Sequence, residues 1–396
     1  MDKLRSKMKG VTNQLTLAWI VISIWGILNI YSTTYNDVIK YNILPITIIV
    51  SILMFIIMFF VLYFMRKNYN KIYKLVTSNI NLIYFIALAM LVLVFVIGAA
   101  RGGARSVISL GIVDFQPLEL VKISVILFLA NAFANLGVRF MWFKVGNLTK
   151  SNNLIKLALF MLIPVFLILI EPDLGGAIIV FLVIYVMFCI HGSYSKFILK
   201  VSGVVLLLGI AGIFLLDIMP SILPEYQIDR ITTWLEPFGD THGASWDIRS
   251  ALIGISNGNL FGEGFLKGAQ KTFIAARSTD YIFVTICEEW GIFGATLTIG
   301  LQLFIISCCI RIGNYAHRRF GMLYCYGFGF LLLIQVVVNI CGVTNVIPMT
   351  GVTLPFISNG INSYMFLSLG LFFCIVIERR SNAFYRKQDL DNWANI

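Results

Sequence analysis

Residues 79–99 read NINLIYFIALAMLVLVFVIGA. The stretch holds no charged side chain, and its length is that of a helix crossing the hydrocarbon layer, which takes about 20 residues. Its apolar residues are continuous and do not alternate, which is the pattern of a spanning helix and not of a barrel strand. Similar runs recur at 14–33, 44–65, 118–136, 154–170, 173–191, 199–218, 282–310, 322–342 and 356–378. Ten spans predict an all-α polytopic membrane protein, one integral membrane domain over residues 1–396. Composition agrees: 59% of residues are hydrophobic and 12% charged, where a soluble chain carries roughly 25% charged.

The basic residues give the orientation. Twenty Lys and Arg lie in the N-terminus, the even-numbered loops and the tail 379–396; eight lie on the other side, five of them in the long loop 219–281. Basic short loops stay in the cytoplasm, whereas long loops cross largely regardless of charge. Both termini are therefore expected in the cytoplasm, with a large extracytoplasmic loop, 219–281, between helices 7 and 8. Lys3, Arg5, Lys7 and Lys9 precede a run long enough to remain as a span, so no cleavable signal peptide is expected. The net charge of +11 comes from these loops and from no concentrated patch, which argues against a nucleic-acid partner. The seven cysteines show no CxxC or Cys/His spacing and there are three histidines, so neither a zinc site nor a disulfide is expected.

Polar groups in and beside the spans carry the functional signal. Arg277-Ser278-Thr279-Asp280-Tyr281-Ile282-Phe283 runs into Cys287-Glu288-Glu289-Trp290-Gly291 where a polar loop meets an apolar helix. A carboxylate at such a boundary can have a shifted pKa and handle protons; Asp280 could equally cap the helix it opens. Glu119 and Lys122 share a helix face at the start of the fourth span, as cavity residues or as a structural ion pair. In Glu171-Pro172-Asp173, Pro172 ends one helix and Asp173 can cap the next. Arg101-Gly102-Gly103-Ala104-Arg105 could fold against a phosphate or be a solvated turn. Residues 348–363 have no Lys or Arg, two prolines and many small polar groups, and read as a re-entrant wall of an external cavity. In the 219–281 loop, residues 247–257 read as an amphipathic helix at the interface, part of a lid or ledge. Acids, cations and small polar groups thus converge on one membrane face, which suits a lipid-anchored substrate with an anionic head. A flippase and an interfacial transferase both fit; the absence of a visible internal repeat favours the transferase.

Five motifs in order then resemble the SEDS family of shape, elongation, division and sporulation proteins, over roughly residues 15–380. Gln116-Pro117-Leu118-Glu119 through Lys122 resembles its QPSE-x-x-K run, and Glu171-Pro172-Asp173-Leu174-Gly175 its QPDLG. Arg230 through Pro237 is similar to its Arg-Ile…Pro segment, and Thr279-Asp280-Tyr281-Ile282-Phe283, followed by Glu288-Glu289-x-Gly291, to its TDFIF motif. Pro348 through Ser358 resembles its PVTG-x-PLPFIS.

The resemblance implies a peptidoglycan glycosyltransferase that polymerises lipid II on the outer face of the bacterial cytoplasmic membrane, with a class B penicillin-binding protein as partner. Asp280 then corresponds to the essential aspartate and is the candidate catalytic base. Glu119, Lys122 and Asp173 correspond to cavity residues, and Arg230 and Ser358 fall in matching motifs. Arg105, with Arg101 or a divalent cation such as Mg2+, would hold the pyrophosphate. The chain departs from the family at Ala275, Ala276 and Ser278, at Asp247 and Arg249 in place of paired glutamines, and at Asn359, Ile361 and Asn362. These departures keep a catalytically reduced scaffold open as a reading, beside the flippase.

Overall fold

The computed structural model describes residues 10–41, 46–101, 104–109, 114–135, 137–140, 143–145, 148, 151–192, 225–239 and 245–394. Nine helices among them are long and apolar enough to cross a membrane. In chain order they are α1 (Val11–Tyr41), α2 (Ile46–Lys67), α4 (Ile80–Ile97), α5 (Pro117–Ala134), α6 (Ser151–Ile170), α7 (Leu174–His191), α10 (Ile282–Asn314), α11 (Arg319–Val343) and α12 (Ile361–Ala394). The described residues also form three shorter α-helices, α3 (Tyr69–Ser78), α8 (Glu225–Leu235) and α9 (Trp246–Asn257), and a 3-10 turn over Gln270–Thr272. The expected span at 199–218 lies outside the described residues. The expected interfacial helix at 247–257 is α9.

Burial sorts the helices. α5 is apolar around its circumference and buried along nearly its whole length, as a helix at the centre of a bundle must be. It packs against α4, α7 and α11. Side chains cannot be driven together by water-hating alone in lipid, so close packing matters. Gly327 on α11 shows how close: a Cβ there would come within 2.5 Å of Met187 Sδ on α7 and 2.9 Å of Ile126 Cγ2 on α5. α2 and α4 instead leave Ile49, Phe60, Phe64, Phe95 and Val96 exposed, the apolar surface that faces hydrocarbon.

The structure corrects four sequence expectations. The glycine-rich loop before α5 is a β-hairpin: β1 (Ala99–Arg101) pairs antiparallel with β2 (Ala104–Ser109), and β3 (Asp114–Phe115) adds to β2. A second hairpin, β4 (Val138–Phe140) with β5 (Phe143–Val145), follows α5. The tenth expected span does not start at 356, because Phe356 turns with φ +61° and α12 begins at Ile361. The helix then continues to Ala394, through most of the expected tail 379–396.

The fourth correction concerns 282–310. α10 has 33 residues, about 50 Å at 1.5 Å per residue, longer than the ~30 Å hydrocarbon layer. It is broken at Gly291, where φ is 63° and ψ −154°, a backbone region open essentially to glycine alone. The freed groups are satisfied by the preceding loop: Ile292 N–H donates to Asn259 O (3.0 Å), while Glu263 and Gly264 N–H donate to the carbonyls of Glu288 (2.9 Å) and Glu289 (3.1 Å). A half-helix over 282–290 and a spanning helix over 292–314 result.

Two ends of the bundle differ in charge. At one end Arg66 donates to Asn13 (3.1 Å), Arg311 to Gln14 (3.3 Å) and Arg379 to the Arg66 carbonyl (3.3 Å), while Arg380 lies 3.8 Å over the Tyr73 ring. The opposite end carries β1–β3, α8, α9, the half-helix and the irregular segment 344–360. Gly291→Ala is expected to destabilise the fold by ~2–4 kcal/mol, since a Cβ would be strained and would lie 2.5 Å from the Gly262 nitrogen. Thermal unfolding in detergent measures this; an unchanged midpoint would show that the break can close without the loop.

Candidate active site

The site is built where the half-helix begins. The N-cap of α10 is Tyr281, with no side-chain capping hydrogen bond, so the Asp280 carboxylate does not serve as the helix cap. The three residues before it have each carbonyl taken by a different donor. Asn359 N–H donates to Ser278 O (2.8 Å), Ser358 Oγ to Thr279 O (2.6 Å) and Asn339 Nδ2 to Asp280 O (2.8 Å). Asn339 also donates to Val352 O (2.7 Å), and Ser358 Oγ accepts from Leu354 N–H (2.8 Å). The irregular segment 348–360 is thereby tied to the approach to Asp280, the wall that its composition suggested.

The Asp280 side chain lines a cavity of about 230 Å³ together with Asp229, Arg230 and Trp234 of α8, Asp247 of α9, Met349 and Gly351. Whole-ligand pockets run roughly 300–1,000 Å³, so this cavity admits part of a larger substrate. Arg230 and Asp280 converge over Gly351: a Cβ built there would lie 3.5 Å from one guanidinium nitrogen and 3.7 Å from Asp280 Oδ2. Burial pushes Asp280 up to about 6, against the Arg230 guanidinium and a Thr279 hydrogen bond, with the Asp173 charge adding to the rise.

Asp173 links this cavity to α5. Its Oδ1 accepts from Gly176 N–H (2.8 Å), so it does cap α7. Burial raises its pKa, while the Gly176 N–H, Lys122 and Arg230 oppose the rise. Lys122 in turn pairs with Glu119 at 2.7 Å, both buried. The turn is pressed into place on two sides: a Cβ on Gly175 would meet the Thr350 carbonyl, and one on Gly176 would meet the Leu118 side chain. Glu119, Lys122, Asp173, Arg230 and Asp280 therefore form one array of alternating charge. Ser358 enters it differently, as a strut whose hydroxyl is already engaged by Leu354 and Thr279. Arg101 and Arg105 lie on β1 and β2, and their side chains are outside the described part of the structure.

Glu288 and Glu289, two turns beyond Asp280, hold the loop that fills the helix break. Glu288 accepts from Ala269 and Gln270 N–H, both 2.9 Å. Glu289 pairs with buried Lys271, and Ser32 of α1 joins both. Sequence reasoning missed Asn339, Asp229 and Trp234. Asn339 did carry a signal, since an amide inside an apolar span is functional or structural by default. Among the described residues no three His, Cys, Asp or Glu side chains are grouped to hold a metal ion.

Comparison with known proteins bears on this array. A family described as FtsW/RodA/SpoVE, cell cycle protein, matches residues 12–383. The Probable peptidoglycan glycosyltransferase FtsW of Lactococcus lactis is 31% identical over 94% of this chain and 93% of its own. The peptidoglycan glycosyltransferase MrdB of Escherichia coli is 32% identical over 73% of this chain and 74% of its own. A solved chain from work on polymerization and crosslinking by a peptidoglycan synthase complex superposes with a TM-score of 0.73 at 26% identity, covering 93% of this chain and 97% of that one. With the family match running through every segment that builds the charged array, the chain belongs to the FtsW/RodA/SpoVE family of cell cycle proteins.

Proposed function

We propose that this protein is an inverting glycosyltransferase that polymerises lipid II, a disaccharide-pentapeptide on undecaprenyl pyrophosphate, at the outer face of a bacterial cytoplasmic membrane. The observation that carries the reading is Asp280: a carboxylate in a cavity, facing Arg230, on a backbone held at three successive carbonyls. The names of the relatives, peptidoglycan glycosyltransferases, support it.

The chemistry follows from the groups present. The acceptor sugar hydroxyl gives its proton to the Asp280 carboxylate as its oxygen attacks the donor's anomeric carbon from the face opposite the pyrophosphate. The new C–O bond forms as the bond to the pyrophosphate oxygen breaks, and the configuration inverts. Pyrophosphate leaves as a stable anion, so no second carboxylic acid is required, unlike glycoside hydrolysis. Near pH 7 a base whose pKa is about 6 is mostly ionised yet still basic enough to take a proton in the transition state. Arg230 and Lys122, held by Asp173 and Glu119, supply positive charge beside the reacting sugars. Arg101 and Arg105, on the hairpin at the same end, would hold the pyrophosphate, alone or with a divalent cation such as Mg2+.

The cationic end built by Arg66, Arg311, Arg379 and Arg380 supports a cytoplasmic placement for both termini and an outward site. The partner is a class B penicillin-binding protein, a reading supported by the likeness to a chain of a peptidoglycan synthase complex. The acids and cations gather at one end of the bundle and are intact as an array, which favours polymerase over flippase or scaffold.

Asp280→Ala is expected to lower lipid II polymerisation by a factor of about 10²–10⁴ with the complex still assembled; the wild-type rate should fall below pH ~6 as the base protonates. Strand length on gels reads both, and activity retained in the variant would remove Asp280 from the chemistry. Asn339→Asp keeps the shape of the side chain but loses both N–H donors, and is expected to cost about 10–100-fold in rate by freeing the base. Its failure to do so would show that Ser358 and Asn359 suffice. Stability should move oppositely. A pKa raised on folding means that the ionised form is disfavoured in the native state, so that stability is lost as pH rises from about 4 to 6. Asp280→Asn should then be more stable than wild type by about 1–3 kcal/mol at pH 8 and no more stable below pH ~4. Thermal melts at the two pH values check the sign.

A further inference from the structure

Glu171 follows the last residue of α6, two positions before Asp173. Its turn is wound tightly: Glu171 N–H is bonded to Leu167 O and Ile168 O, and Asp173 N–H returns to Ile168 O at 3.2 Å. The side chain is only 4% exposed. One of its carboxyl oxygens, Oε1, is buried with no hydrogen-bond partner. A buried ionised carboxylate left in that state is costly, whereas a neutral acid is tolerated.

The surrounding charges do not rescue the ionised form. α7 opens with Asp173, whose charge disfavours a second negative charge beside it. α5 contributes Glu119 and Lys122, already paired with each other, and α8 contributes Arg230; both cations act on Asp173. α4 also packs on α6, but its one titratable group, Tyr84, lies toward the other end of that helix. Lys156 of α6 and Tyr185 and His191 of α7 are likewise placed away from this turn along their helices. Burial first, and Asp173 second, push the Glu171 carboxyl up to about 8.

We propose that Glu171 is a positioning residue for the transfer: as a neutral acid it keeps Asp173 between Lys122 and Arg230, and it disables the site when it loses its proton. The inference rests on the polymerase reading above. A protonated Glu has the size of the neutral amide Gln, so it does there what an amide would do and adds a pH dependence that an amide lacks. Ionised, Glu171 would set a further negative charge beside Asp173, draw Lys122 and Arg230 away from their partners and oppose the approach of an anionic donor.

The test uses the full chain with its penicillin-binding partner in lipid vesicles. Lipid II polymerisation by wild type should fall about tenfold from pH 7 to pH 9, because one pH unit above its midpoint about a tenth of Glu171 keeps its proton. Glu171→Gln should hold its rate across that interval and still lose activity below pH ~6 with Asp280. Infrared difference spectra between pH 7 and 9.5 supply a readout that needs no turnover. A protonated-carboxyl C=O band should disappear in wild type, and this loss should be missing in Glu171→Gln. Equal alkaline limbs in the two proteins, or no such band in wild type, would overturn the proposal. A chain inactive at every pH would instead defeat the polymerase reading, and the infrared band alone would then decide the protonation of Glu171.

Discussion

Three consecutive backbone carbonyls, those of Ser278, Thr279 and Asp280, determine where the Asp280 carboxylate can be. Each accepts from a different donor: the Asn359 amide, the Ser358 hydroxyl and the Asn339 side chain. A typical hydrogen bond adds only about 1 kcal/mol net, but leaving a buried carbonyl unpaired costs the full desolvation of that group. The segment therefore has one well-satisfied position and no cheap alternative. The donors come from a stretch without regular structure, which must itself be fixed. Gln302 of α10 donates to the Pro355 carbonyl at 2.6 Å, and Gly26 of α1 lets that helix approach so closely that a Cβ would lie 2.8 Å from Ile357 Cα. Irregular backbone survives at this depth because protein surrounds it.

The same constraint explains the broken helix. If α10 ran unbroken, the Glu288 carbonyl would accept from Ile292 and the Glu289 carbonyl from Phe293, and the N–H groups of Glu263 and Gly264 would lose their acceptors. The break at Gly291 exchanges those partners, and the Glu288 and Glu289 side chains fasten the loop further along, at Ala269, Gln270 and Lys271. A single buried ion pair is weak evidence for stability. Its placement matters more here, because Lys271, Glu289 and Ser32 tie the loop, the half-helix and α1 at one point. The half-helix can then present Asp280 at its start while the remaining residues of α10 span the membrane at a different angle.

Hydropathy made the spans legible because each is a local property: the run expected at 118–136 is Pro117–Ala134, and that at 173–191 is Leu174–His191. The charged members of the candidate site were legible for a related reason, since Glu119 and Lys122 lie inside a span and Asp173, Arg230 and Asp280 fall in ordered motifs. What stayed hidden depends on contacts distant in sequence. Gly291 sits within an apolar run, and only the approach of residues 259–264 shows why the helix must break there. Ser358 falls in a matching motif, yet its hydroxyl closes a backbone circuit between Leu354 and Thr279. Asn339 is one amide in a hydrophobic helix by sequence, and in the fold it clamps the Asp280 and Val352 carbonyls. Its donors could not be assigned until α11, the segment 348–360 and the approach to α10 were seen together.

The array also has to solve an electrostatic conflict. A site for a pyrophosphate donor needs positive charge, yet Glu119, Glu171, Asp173 and Asp280 bring four carboxyl groups against Lys122 and Arg230. With all four ionised the excess would be two negative charges in a poorly solvated place, where like charges interact strongly. Burial relieves this by making protons cheap to keep: Glu171 is pushed up to about 8 and Asp280 to about 6. With Glu171 neutral, as proposed, and Glu119 matched by Lys122, Asp173 and Asp280 share Arg230, and the excess among these six groups falls to one, with Asp229 and Asp247 further along the same cavity. In the proposed reaction that last charge is the one the base gives up when it takes the acceptor's proton, at the moment when negative charge builds on the departing pyrophosphate. The burial that makes Asp280 costly to ionise in the resting protein therefore lowers the repulsion when the leaving group needs it least opposed.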